Sequence, residues 1–310
     1  AVLLAMLNGP SLNLQPKQPT SAIAATQTRA PQLVGGGNWG VPTLHGPIEM
    51  FVAVFTAPGM ESRRQNVRSQ WGIPPGITYK FVLCADSEKA ILKSELDKFA
   101  DMVFLDCAEG YSHGLLTRKL AAFLSAFLSR FPEVPWVLKI DDDSYPKLDE
   151  LLALLRKKSG KHVFAGALDE GKAPIRNPKN KFYEPWDVFS GRTYPRCAQG
   201  LGYVLDRGLV QFIVEHGIPQ KHMLWNEDRA VGVWVDEAKN NKVRIDYIHL
   251  SALNGYGKWS VCRQTRGDWR KWLQNDWLIV HKVTPNQMEC LRGKRDIRNA
   301  SNCDWRKWLQ

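Results

Sequence analysis

Three adjacent carboxylates, Asp141-Asp142-Asp143, close the apolar run Trp136 to Ile140. Like charges a few Å apart do not all stay ionised without a counter-ion. A hard divalent cation that also holds a phosphorylated ligand answers that need. Side chains alternate along extended backbone, so Asp141 and Asp143 are expected on one side and Asp142 on the other. Asp143 is the first candidate for a metal ligand. Asp141 and Asp142 are candidates for contacts to a nucleotide. The bland alternative is a strand ending in an acidic turn with its charges in solvent.

Four further groups could do chemistry. Glu227-Asp228 opens a predicted helix, where acidic residues also suit the first turn. The functional reading makes Asp228 a general base beside an acceptor hydroxyl. His281 follows a short apolar run and, as a neutral imidazole, could complete a cation site with Asp143. It could equally be an ordinary surface or core histidine. Arg63, Arg64 and Arg68 fall on a predicted helix leading to Trp71, with Arg64 and Arg68 four apart on one face. Arg64 and Arg68 are candidates to hold a diphosphate; a solvated basic face is the alternative. Gly200 and Gly202 would let a ligand approach the backbone closely. The run Phe182 to Trp186, with Tyr194-Pro195, offers aromatic surface for sugar rings or for packing.

These residues need a frame. Short apolar runs at Met50 to Phe55, Tyr79 to Cys84, Met102 to Leu105, Trp136 to Ile140, His162 to Ala165, Arg244 to Ile248 and Leu278 to Val280 read as strands. Helical spacing appears at 87–99, 112–130, 148–155, 205–214, 227–238 and 285–291. Strand alternating with helix indicates an α/β sheet with helices on both faces. Carboxylates at a strand's C-terminal end lie where such sheets bind ligands. Residues 166–200 are irregular and rich in Pro, Gly and aromatics, as a substrate-facing loop would be. Residues 1–48 read as a stem or linker, 49–291 as the catalytic domain and 292–310 as a tail.

The bulk numbers narrow the classes. With 42 Lys and Arg against 31 Asp and Glu, the net charge is +11. That suits an anionic polysaccharide, a phosphorylated substrate or nucleic acid. No nucleic-acid-binding motif accompanies the charge, so nucleic acid is not an expected partner. The six cysteines form no C-x-x-C pair, which argues against a thiolate zinc site and permits up to three disulfides in an oxidising compartment. Asn299-Ala300-Ser301 is a glycosylation sequon. No run of eighteen apolar residues occurs, so the segment is expected to be soluble. The heptad from Asp268 to Gln274 recurs letter for letter at Asp304 to Gln310. It reads as a packing helix or an amphipathic surface helix.

In order along the chain, these pieces resemble the beta-1,3-galactosyltransferase family. Arg64, Arg68 and Trp71 match its opening signature, with Gln70 where Thr is usual. Glu95, Asp101, Asp106, Tyr111, Leu116 and Lys119 match the stretch that follows, and Lys139 to Asp143 the triple-Asp motif. Tyr194-Pro195 through Leu205 match the glycine motif, with Leu201 replacing a common Gly. Glu227-Asp228 and Gly232 match the late acidic motif, with Arg229 where Val is typical; His281-Lys282, Pro285 and Met288 match the terminal region. The stretches 137–156 and 178–208 look most like the galactosyltransferase that adds the second galactose of the proteoglycan linker, and like arabinogalactan galactosyltransferases. The chain departs from the pattern between Tyr256 and Asp276. The resemblance implies a glycosyltransferase type A fold, with a Rossmann-like mixed sheet. It implies a UDP-sugar donor, Mn2+ held by Asp143 and His281, Asp228 as base, and inversion at the anomeric carbon. The expected reaction is galactose transfer to a glycan or glycoprotein hydroxyl in a beta-1,3 linkage. UDP-N-acetylglucosamine as donor, or a non-catalytic glycan-binding role, are the alternatives. A Golgi type II membrane protein with a lumenal domain is also implied, its N-terminal anchor lying outside this sequence.

Overall fold

The computed structural model describes residues 39–40, 46–86, 91, 93–158, 160–250, 252–254 and 277–293. The departure at 256–276, both copies of the heptad, the sequon and nearly all of the expected stem lie outside them. Ten strands and eight helices follow in chain order among the described residues. The strands are β1 (Met50–Phe55), β2 (Ile77–Cys84), β3 (Met102–Leu105), β4 (Trp136–Asp141), β5 (Ser144–Pro146), β6 (Val163–Asp169), β7 (Cys197–Asp206), β8 (Asp246–His249), β9 (Ala252–Asn254) and β10 (Ile279–His281). The helices are α1 (Glu61–Gln70), α2 (Lys93–Lys98), α3 (Leu115–Arg130), α4 (Leu148–Arg156), α5 (Arg207–Glu215), α6 (Ile218–Lys221), α7 (Glu227–Asn240) and α8 (Pro285–Gly293).

Seven strands form the main sheet in the order β3-β2-β1-β4-β7-β6-β8. β1 runs parallel to β2 and β4, while β7 runs antiparallel to β4 and β6. The sheet is therefore mixed, as expected. Every residue of β1 is buried because both faces are covered. Met50, Val52 and Val54 pack with α1, α4 and α8 on one side. Phe51, Ala53 and Phe55 pack with α3, α5 and α7 on the other. In α3 the buried residues Leu120, Phe123, Leu124 and Phe127 recur at three and four, which turns one stripe onto the sheet. No helix among the described residues is long and apolar enough to cross a membrane.

A second sheet has the order β5-β10-β9. β10 lies antiparallel to β5, placing His281 opposite Ser144. This pairing, together with β7, departs from the sequence reading. β6 takes the first residues of what the sequence presents as an irregular loop, while the loop's end and the start of the expected helix belong to β7. Gln199, Gly200 and Gly202 break its apolar pattern, and glycine weakens a strand signal. Its last residue, Asp206, caps α5 by accepting from the Leu209 amide at 3.1 Å. The irregular loop is thereby shortened to 170–196.

Candidate active site

A cleft of about 910 Å³ opens where β1 and β4 end. Asp141 is the last residue of β4, and Asp142 and Asp143 form the turn into β5. The three carboxylates do part company. Asp142 is buried, accepts from Thr56 Oγ at 2.6 Å and from Arg63 at 3.0 Å, and burial raises its proton affinity. Asp141, Asp143 and His281 each present a ligand atom, all within 4.8 Å of one another.

This trio fits a divalent cation. Asp143 Oδ1 is buried without a hydrogen-bond partner among the described residues, 3.3 Å from His281 Nδ1. Burial lowers the proton affinity of His281, which favours the neutral imidazole a metal needs. Ser144 Oγ donates to the Leu201 carbonyl at 3.0 Å and lies 2.9 Å from His281 Nδ1. With the hydroxyl proton committed to Leu201, Nδ1–H donates to Ser144 and Nε2 keeps its lone pair. Two carboxylates and an imidazole are donors for a divalent ion of the Mg or Mn kind.

The opposite wall carries the second acidic pair. Glu227 is buried and accepts from Lys139 at 3.1 Å and from the Tyr203 hydroxyl. Lys139 also reaches Asp141 at 2.9 Å, so one buried ammonium joins both acidic groups. Burial opposes its charge, but Asp141, Glu227 and Asp228 outweigh that and hold it protonated. Asp228 is the carboxylate left over. Its Oδ1 has no hydrogen-bond partner among the described residues. Burial and the neighbouring Glu227 push its proton affinity well above the ordinary carboxylate range. A base poised nearer neutrality is what proton abstraction from a hydroxyl asks for.

The remaining candidates separate. Gly200 lines the cleft, and a Cβ there would come within 2.9 Å of the Asp228 Cγ, so its bareness makes room for the base. Gly202 has φ +149 and packs against Ile279 and Ile140, inside the fold rather than along the cleft. Arg64 and Arg68 also stay away from the cleft, against expectation. Arg64 is fully buried and grips Glu95 with two hydrogen bonds of 2.9 and 2.7 Å, plus the Ala57 and Pro58 carbonyls. Arg68 binds Glu95 and Asp101. Their guanidinium donors are spent on structure. The cleft-facing arginine is their neighbour Arg63, which touches Asp142 and, at 3.2 Å, Asp143.

Sequence reasoning grouped Arg63 with Arg64 and Arg68 without singling it out, and gave no separate role to Lys139 or Glu184. A lysine inside an apolar strand next to carboxylates was the available signal for Lys139. Glu184 is fully buried and accepts from the Trp225 and Asn226 amides at 2.9 and 3.1 Å, just before α7 begins. It ties the loop 170–196 to the helix that bears Asp228. A disulfide joins Cys84 and Cys107, pinning the loop that supplies Glu109 and Tyr111 to the cleft.

The chain is similar in sequence to curated galactosyltransferases. Hydroxyproline O-galactosyltransferase GALT5 of Arabidopsis thaliana is 28% identical over 86% of this chain and 38% of its own length. Human beta-1,3-galactosyltransferase 2 is 29% identical over 68% of this chain and 51% of its own length. The chain thus spans between about a third and a half of these curated relatives. Among solved structures, galactosyltransferase LgtC in complex with donor and acceptor sugar analogues aligns over 84% of this chain and 100% of its own, at 10% identity and a TM-score of 0.39. The sequence model of the galactosyltransferase family matches residues 62–249, the span that supplies six of the main sheet's seven strands and carries both acidic groups, and the chain belongs to that family.

Proposed function

We propose that this chain transfers galactose from UDP-galactose to a glycan hydroxyl, with inversion and a beta-1,3 linkage. One observation carries the reading: a single cleft holds a cation-ready trio, Asp141, Asp143 and His281, and a separate, partner-poor Asp228. An inverting displacement needs those two functions at the two ends of the reacting line. Asp228 takes the proton of the acceptor hydroxyl, and the oxygen attacks C1 from the face opposite the diphosphate. Arg63 approaches from the donor side and offers a charge-assisted contact to phosphate. Lys139 keeps Glu227 and Asp141 in place and disperses charge between the two ends. Asp141, Asp143 and His281 would hold a divalent cation, Mn2+ in this reading, which would offset charge on a departing diphosphate. The Cys84–Cys107 disulfide supports an oxidising compartment, consistent with a Golgi lumenal location for a membrane-anchored protein.

The test is a panel of UDP-sugars with and without Mn2+, scored by hydrolysis and by transfer to galactose-terminated acceptors. UDP-galactose should be preferred, and the product should show a beta-1,3 linkage by NMR. Preference for UDP-N-acetylglucosamine would replace the donor. Glycan binding with no turnover of any nucleotide sugar would replace the transferase reading with a binding one.

A further inference from the structure

The donor end leaves part of the molecule's basic character unused. Most cations along the cleft are spoken for. Arg63 is paired with Asp142 and Asp143, Lys119 with Glu109, Lys139 with Asp141 and Glu227, and Arg229 with Asp169. Lys172 and Lys181 also line the cleft, are exposed, and form no ion pair among the described residues. Lys181 does not hang in solvent. Its ammonium lies 4.5 Å from the Phe182 ring centroid and 5.9 Å from that of Tyr111, and the two rings meet edge to face at 6.5 Å. Tyr111 is 50% exposed, unusual for a ring of that size without a partner to cover it.

We infer that this end of the cleft is an acceptor subsite for an anionic sugar, a pyranose bearing a carboxylate or a sulfate. The inference rests on the transferase reading and names its acceptor class. The aromatic pair offers the flat apolar surface on which the C–H face of a pyranose stacks. The Lys181 ammonium resting on that surface, with Lys172 lining the same cleft, meets an acidic substituent at the ring's edge. The subsite adjoins the base: besides burial, the charge of Asp228 raises the proton affinity of the Tyr111 hydroxyl. It is also built in advance. Arg176 donates to the carbonyls of Glu184, Pro185, Phe189 and Gly191 at 2.6 to 3.0 Å, and Glu184 fastens the same loop to the start of α7. The Phe182 carbonyl also accepts from Asn226 at 3.1 Å, so the backbone that carries Lys181 and Phe182 is fastened beside the start of α7, which bears Asp228. Tyr111 is held by the loop that the disulfide pins.

The test uses three probes: a galactose disaccharide, its 6-uronate and its 6-sulfate. Binding is read by calorimetry with UDP and Mn2+ present, so the outcome does not depend on turnover. At least one charged probe should bind about tenfold more tightly than the neutral one, since two exposed ammonium contacts supply about threefold each or somewhat more. The gain should vanish in about 1 M salt, where screening acts over roughly 3 Å. The uronate and sulfate arms say which acid is recognised. In Lys172→Ala/Lys181→Ala the charged-to-neutral ratio should fall to about one. Equal affinity for all three probes overturns the inference. So does a double variant that keeps the ratio, or one that loses affinity for UDP, because the lysines then serve the donor. Absence of UDP-sugar hydrolysis by the unmodified protein overturns the transferase reading instead, and the binding ratio is scored separately.

Discussion

Asp228 is costly where it sits, and the cost has a measurable sign. Its folded-state proton affinity lies above the unfolded value of about 3.9, because burial and Glu227 disfavour the charge. The stability it contributes is full at low pH and is lost as pH rises through the raised value. Wherever the folded carboxylate is charged, that charge works against folding. Asp228→Asn should raise Tm, by about 2–4 °C for each kcal/mol recovered. The same variant should lose at least about a hundredfold in transfer while UDP and Mn2+ binding stay. Near-normal turnover would remove Asp228 from the role of base. The acid limb of the pH–rate profile should report this group, with transfer rising as pH climbs through it. Glu227→Gln deletes the charge that holds the proton on Asp228, so the limb should move to lower pH; an upward move would contradict the assignment. The arginines divide differently. Arg64→Ala leaves Glu95 buried and without its bidentate partner, and should cost about 3–5 kcal/mol by denaturant unfolding. Arg63→Ala should leave stability nearly unchanged and weaken UDP binding in calorimetry. Sequence reading went astray between these neighbours for a simple reason. A helix turns about 100° per residue, and spacing alone does not say which side meets the cleft. Asp141, Asp143, His281 and Asp228 were legible because their chemistry makes little sense unless they meet.

At the scale of elements, β7 and the segment leading into α7 position the base, and β7 was the strand least visible beforehand. Its glycines blur the pattern for two different reasons. Gly200 gives up its side chain to admit the Asp228 carboxylate. Gly202 gives up its own to a positive φ and to Ile279 and Ile140. Single methyl groups should tell them apart. Gly200→Ala should displace the base, lowering kcat by about tenfold to a hundredfold with little change in Tm. Gly202→Ala should destabilise the fold, by about 1–3 kcal/mol, through strain and overpacking. If both act only on Tm, Gly200 has no link to catalysis. The strands with continuous apolar runs were easy to place, since a sheet covered on both faces needs them. The short β5 and β9 were hard, because three residues carry almost no period, while β10 was found one residue early from its apolar run.

For the whole molecule, the two cores lock the sheet between its helix layers, while the Cys84–Cys107 bridge secures the loop that leads from β3 to the cleft wall. The bridge spans 23 residues in sequence. In the chain-entropy account, a loop of that size contributes about 3 kcal/mol. Cys84→Ser/Cys107→Ser should lower the unfolding free energy by about that amount. Because Glu109 and Tyr111 ride on the tethered loop, the KM for acceptor should rise more than kcat falls. A loss confined to kcat would place the loop nearer the donor chemistry. The composition already pointed to an oxidising environment without saying which cysteines pair.

The antiparallel seam between β5 and β10 has a consequence for how the protein is made. Ser144 and His281 meet there across 137 positions of chain. A nascent polypeptide leaving the ribosome completes the main sheet with β8, which ends at His249, well before His281 has been added. Asp141 and Asp143 then wait on a formed scaffold for an imidazole still being translated. The Asp141, Asp143 and His281 trio is thus the last part of the site to close, and a chain cut short between β8 and β10 would carry the main sheet without the imidazole of that trio. Synthesis itself makes completion of the polypeptide a precondition for chemistry.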